Sequence, residues 1–107
     1  MIRHVFLWKL APGADPDQVI DLLSQLSTRI PSLRSWEIGK HKGDPGDNGA
    51  PWDGMLISDF DDWAGLEEYS LHPFHIEIVA QLKPLVADRA VVDAEKGKQD
   101  AKDKRAA

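Results

Sequence analysis

Apolar and polar positions alternate over residues 2–9. Ile2, His4, Phe6 and Trp8 fall on one face, and Arg3, Val5, Leu7 and Lys9 on the other. Both faces carry apolar groups, which predicts a central strand covered on both sides. Pro12-Gly13 marks a turn, and Asp15-Pro16 offers an N-cap followed by proline at the first helical position. Val19, Leu22, Leu23, Leu26 and Ile30 then recur at helical spacing, with Asp17, Gln18, Asp21 and Gln25 outward, until Pro31 stops the helix. A second strand is expected over about 33–41, with Trp36 and Ile38 on one face. The run 42–51 is too dense in Gly, Pro, Asp and Asn to continue it and reads as a long, mobile hairpin loop. A third strand follows over about 52–60. A helical region over 62–87, broken near Leu71-His72-Pro73, turns Ile76, Val79, Ala80 and Leu82 inward, and a short last strand covers 89–94.

This order, β-α-β-β-α-β, is the split βαβ arrangement. It implies a ferredoxin-like α+β subunit, with one four-stranded antiparallel sheet and both helices on one face. The other face is then expected to carry His4, Phe6, Trp8 and Trp36, together with Ile38, Leu56 and Val91. A monomer rarely leaves so large an apolar patch in water. The economical solution is a homodimer whose sheets face each other around a barrel-like interior.

Length and charge narrow the function. At 107 residues, 42% hydrophobic and 29% charged, the chain has the make-up of one ordinary globular domain. With no cysteine there is no disulfide, thiolate nucleophile or cysteine metal site. The N-terminal stretch is too short and too charged for a signal peptide, and no apolar run approaches the ~20 residues of a membrane span, so a cytoplasmic protein is expected. The net charge of -5 argues against a nucleic-acid partner. The domain is expected to span 1–95. The remainder, 96–107, interleaves Lys96, Lys98, Lys102, Lys104 and Arg105 with Asp100 and Asp103 and reads as a disordered, solvated tail. There is no Gly-rich phosphate loop, so no cofactor is expected.

The densest chemistry lies in Tyr69-Ser70-Leu71-His72-Pro73-Phe74-His75. Two imidazoles beside a phenol can move protons near neutrality. The same residues also suit a helix break, with a capping histidine ahead of Pro73, a core tyrosine and an imidazole tying helix to strand. His72 and His75 have a spacing seen in helical metal sites, but no third ligand is identifiable and no metal is expected. Asp44, Asp47 and Asn48 lack the alternating oxygens of a calcium loop and read as turn residues. Trp8 and Trp36 suit either a wall for an aromatic ligand or a dimer core, whereas Trp52 and Trp63 read as structural. Arg89 and Asp93 share a strand face, either as an ion pair at a barrel mouth or as solvated charges.

Four segments in order carry a resemblance: the opening Met1-Ile2-Arg3-His4-Val5-Phe6-Leu7-Trp8-Lys9, the step Ile30-Pro31-Ser32-Leu33, the helix bearing Tyr69 and His72-Pro73-Phe74-His75, and the ending Leu82-Lys83-Pro84-Leu85-Val86 with Arg89-Ala90-Val91-Val92-Asp93. Over roughly residues 1–95 the chain resembles the stress-responsive A/B barrel (Dabb) family. The resemblance implies a subunit that dimerises into an α+β barrel, with a small-molecule pocket between sheet and helices. A plant polyketide cyclase of that family implies roles by position: His75 as base, Tyr69 as hydrogen-bond donor to an enolate, and His4 on the first strand. Phe6, Trp8, Trp36, Leu56 and Val91 then serve as the substrate-binding wall. Two pocket positions depart from that enzyme, with Gly54 in place of a histidine and Leu23 in place of a tyrosine, so its substrate does not carry over. The readings left open are a cofactor-free cyclase, isomerase or lyase, a non-catalytic binder of small molecules, and a stress-response oligomer.

Overall fold

The computed structural model describes residues 1–96. The chain forms β1 (Ile2–Leu10), α1 (Pro16–Ser24), β2 (Leu33–Lys40), β3 (Gly54–Phe60), α2 (Trp63–Leu71), α3 (Pro73–Leu82) and β4 (Val86–Glu95). The strands make one antiparallel sheet in the order β2-β3-β1-β4, the ferredoxin-like arrangement. No helix among the described residues is long and apolar enough to cross a membrane. The expectation for the charged tail falls, beyond Lys96, outside the described residues.

Local chemistry sets the element ends. The Asp15 carboxylate accepts the Asp17 N–H at 2.9 Å and starts α1. The helix was expected to reach Ile30 but tightens into a 3-10 turn over Gln25–Thr28. There the Ser24 and Ser27 hydroxyls donate to the carbonyls of Ile20 and Ser24, each at 2.7 Å, the back-bonding that unsettles helix interiors. The strand β3 starts at Gly54, not Trp52, because Trp52 and Asp53 clamp the end of β1 instead. Lys9 Nζ lies 4.8 Å from the Trp52 ring centroid. The Asp53 carboxylate accepts the Leu10 N–H at 2.7 Å, beside the irregularity in pairing at Lys9/Leu10. In α3, Leu82 is buried and Val79 partly buried as expected, but Ile76 and Ala80 are exposed and Ile78 is buried in their place. Ile76 and Ala80 each stand two residues from Ile78, about 200° round the helix, so burying Ile78 turns both outward.

The register decides which face the helices cover. Across β4, β1, β3 and β2, one face carries the row Val91–Phe6–Leu56–Ile38 and, beside it, Asp93–His4–Ser58–Trp36. That face lies under the helices. Ile2, Trp8, Leu56 and Phe60 join Val19, Leu22 and Tyr69 in the core. The sequence expectation is therefore corrected: His4, Phe6, Trp8, Trp36, Ile38, Leu56 and Val91 all belong to the helix-side face, not the open one. The open face carries Val92–Val5–Ile57 and Ala90–Leu7–Met55. Both faces of β1 are apolar, so alternation alone cannot choose between them. Pairing of sheets is still favoured, through this other set of residues, since Val92 is 62% exposed and Met55 37%.

The open face also holds Asp59, opposite Arg3. The Arg3 guanidinium donates to both Asp59 oxygens, at 2.9 and 3.0 Å, and the Ser35 hydroxyl donates at 2.7 Å. These donors hold the Asp59 carboxyl well below the usual carboxylate range against the opposing effect of its burial.

Two substitutions test this packing. A Cβ at Gly54 would lie 2.1 Å from Trp8 Cζ2, so Gly54→Ala is expected to cost about 1–3 kcal/mol in urea unfolding through overpacking. On the open face, Ile57→Lys is expected to weaken self-association by roughly tenfold or more in sedimentation velocity. An unchanged association constant would move the contact to another surface.

Candidate functional site

The break between α2 and α3 builds the site. His72 is the C-cap residue of α2 and also the N-cap of α3, where its Nδ1 accepts the Phe74 N–H at 3.1 Å. The capping expected of His72 is present, directed at the helix after Pro73 instead of the one before it. Pro73 fills the first position of α3, where a missing N–H costs nothing. This turn brings His75 back against Tyr69, with ring centroids 4.6 Å apart and tilted by 51°. Tyr69 also lies 6.1 Å from the His4 ring and 5.0 Å from Phe60.

The rings of His75, Tyr69 and His4 line a cavity of about 330 Å³ between the helices and the sheet. Phe6 and Leu56 contribute from the strands, and Leu23, Leu26, Ile78 and Leu82 from the helical side. The volume falls within the range of small-ligand pockets.

Hydrogen bonds fix the tautomers. The Ser70 carbonyl lies 3.2 Å from His75 Nδ1. A carbonyl only accepts, so Nδ1 carries the hydrogen and Nε2 keeps the lone pair of the neutral ring. His4 Nδ1 pairs with an Asp93 carboxylate oxygen in the same way, which leaves its Nε2 unprotonated in the neutral ring. His72 is the opposite case: its Nδ1 lone pair is occupied by the helix cap, so Nε2 carries the hydrogen.

Burial lowers the His75 pKa, and the neighbouring His4 and His72 add to this, against the Ser70 carbonyl, which raises it. Burial pushes the Tyr69 phenol up, with the Ser58 side chain pulling the other way. At neutral pH the site thus presents a neutral imidazole base beside a neutral phenol donor.

Of the residues singled out in the sequence, the cavity brings together His75, Tyr69, His4, Phe6 and Leu56. Trp8, Trp36 and Val91 lie outside its lining, for three reasons. Trp8, 1% exposed, packs over Gly54 and stacks on Phe6 at 6.0 Å, which makes it core support behind the wall. Trp36 sits on the edge strand β2, beyond Ser58, and is 37% exposed. Val91 sits on the other edge strand and is 53% exposed.

Asp93 pairs with His4 and not with Arg89, and this contact was missed in the sequence. Its signal was available: once β1 and β4 are antiparallel neighbours, His4 and Asp93 are direct partners. Leu23, noted only as a departure, is part of the wall. Among the described residues there is no group of three or more His, Asp or Glu side chains that could hold a metal ion.

An antiparallel four-stranded sheet with helices on one face and a cavity between them defines a ferredoxin-like subunit of the A/B barrel class. The chain belongs to the stress-responsive A/B barrel (Dabb) family, whose model matches residues 2–96. It is similar to a dimeric ferredoxin-like protein of unknown function from Thermobifida fusca YX, at 33% identity and a TM-score of 0.73, over 89% of this chain and 90% of that one. That relative is dimeric, which supports self-association here. A hydroxynitrile lyase from Passiflora edulis has the same fold, with 18% identity and a TM-score of 0.80, over 92% of this chain and 94% of that one. So does a Dabb family protein from Mesorhizobium loti, with 18% identity and a TM-score of 0.71, over 91% and 97%. No curated protein matches the chain.

The electrostatics predict an NMR result. In a titration followed through imidazole Hε1 signals, the His75 midpoint should fall below the ordinary value of about 6.5. A midpoint at or above that value would mean that His75 is solvated and not held in the cavity.

Proposed function

We propose that this protein is a cofactor-free enzyme that moves a proton on a small carbonyl or aromatic compound, as a cyclase, isomerase or lyase does. The observation that carries the reading is the contact between Tyr69 and His75 inside the cavity, with Ser70 holding His75 in the tautomer of a base. His75 Nε2 takes a proton from the carbon next to a carbonyl. The electron pair moves onto the carbonyl oxygen, and the Tyr69 hydroxyl donates a hydrogen bond to that oxygen as its charge grows. The imidazolium then returns the proton to carbon, or the enolate attacks a second carbonyl or expels a leaving group. His4, oriented by Asp93, is a second proton carrier on the sheet side. The occurrence of a lyase on this fold in Passiflora edulis is consistent with such chemistry.

The half-reaction can be tested without the natural substrate. Exchange of the α-hydrogens of acetophenone and related small ketones in D₂O, followed by ¹H NMR, should be faster with the protein than in buffer. His75→Ala should lower the excess rate by about 10²–10⁴-fold, the usual contribution of a general base. His72→Asn, which keeps a helix cap, should leave the rate near that of the unmodified protein. Ketones that bind without exchange would turn the reading toward a non-catalytic binder, and exchange that survives His75→Ala would assign the base elsewhere.

A further inference from the structure

The cavity has a second polar end. Arg89 lies four positions before Asp93 on the same face of β4 and opposite Trp8. At about 3.3 Å per residue this is roughly 13 Å along the strand from the His4–Asp93 pair. Lys83, in the turn after α3, lines the cavity as well. That turn is fastened to the same end of β1, since the Ala11 N–H donates to the Leu85 carbonyl at 2.9 Å. Among the described residues, neither Arg89 nor Lys83 has an ion-pair partner. The acid beside them is Asp88, whose carboxylate is turned to the Arg89 backbone N–H at 2.8 Å. Two cations thus face one acid at this end, in a chain whose net charge is -5. Between this end and the His–Tyr end the wall is apolar, made by Phe6, Leu23, Leu26, Leu56, Ile78 and Leu82.

We infer that the cavity takes a carboxylate-bearing carbonyl compound: its carboxylate on Arg89 and Lys83, an apolar body along the middle, and its carbonyl between Tyr69 and His75. This names the substrate class for the proton-transfer reading and rests on it. Arg89 presents the planar fork that suits a carboxylate, and Lys83 adds a compact charge. A neutral carbonyl compound of the same shape fills the apolar stretch equally well but leaves both cations without a counter-charge.

The probe pair is 4-(4-acetylphenyl)butanoate, whose apolar body lies between carboxylate and ketone, and its methyl ester, each titrated into the full chain and followed by ¹H–¹⁵N correlation spectra. The acid should bind about tenfold more tightly than the ester, the scale of a charge pair in a partly open site. The preference should shrink as ionic strength rises. Arg89→Gln with Lys83→Gln should abolish it, and both side chains are exposed enough for the fold to tolerate the change. Acid and ester bound equally, with the His75 and Tyr69 signals moving for both, would overturn the carboxylate assignment and leave the pocket reading standing. Neither compound moving those signals at millimolar concentration would overturn both.

Discussion

The strand β1 hydrogen-bonds to β3 on one side and to β4 on the other, and the register of that double pairing governs nearly everything else. It sets His4 opposite Asp93, which fixes the histidine tautomer. It sets Trp8 opposite Gly54, where the indole occupies the space a Cβ would need. It also sets Val5 and Leu7 among apolar neighbours on the reverse face. A slip of one residue would exchange the two faces, putting Arg3 and Lys9 under the helices and His4 outside. The large core groups Ile2 and Trp8 make such a slip costly, so site geometry and fold stability depend on the same contacts.

This dependence explains what was legible in the sequence. The order and rough position of each element followed from periodicity, caps and prolines, because these are local signals. The choice of sheet face did not, because residues on both sides of β1 are apolar and the difference lies in what the helices bring to them. Within the site, Tyr69, His75 and His4 were legible as residue types; the turn at Pro73 brings Tyr69 and His75 together, and β1 carries His4 to them. Phe6 and Leu56 were legible as wall. Trp8, Trp36 and Val91 share that face, but side-chain parity cannot tell that Trp8 is taken up by packing over Gly54 or that Trp36 and Val91 stand on edge strands. The Asp93 contact needed the pairing of the first and last strands, which only the topology supplies.

The two faces of the sheet treat charge in opposite ways. Under the helices, burial favours neutral groups: the His75 pKa falls and the Tyr69 pKa rises. A base and a donor that are both uncharged can share a small apolar space without either needing a counter-ion. On the reverse face, Asp59 is as deeply buried as the core side chains yet stays ionised, because Arg3 and Ser35 satisfy its oxygens. The difference is one of partners, not of depth.

Both arrangements have the same consequence for stability on acidification. His75 has a folded pKa below its unfolded value, so between the two values the unfolded chain holds the extra proton. Stability from this group is complete above about 6.5 and is lost as the pH falls toward the folded value. Asp59 is likewise depressed, so its contribution is complete above the ordinary carboxylate value of about 3.9 and erodes below it. The loss from His75 sets in at a higher pH than the loss from Asp59. Mild acid therefore weakens the helix–sheet packing around the cavity before it reaches the Arg3–Asp59 pair on the far side.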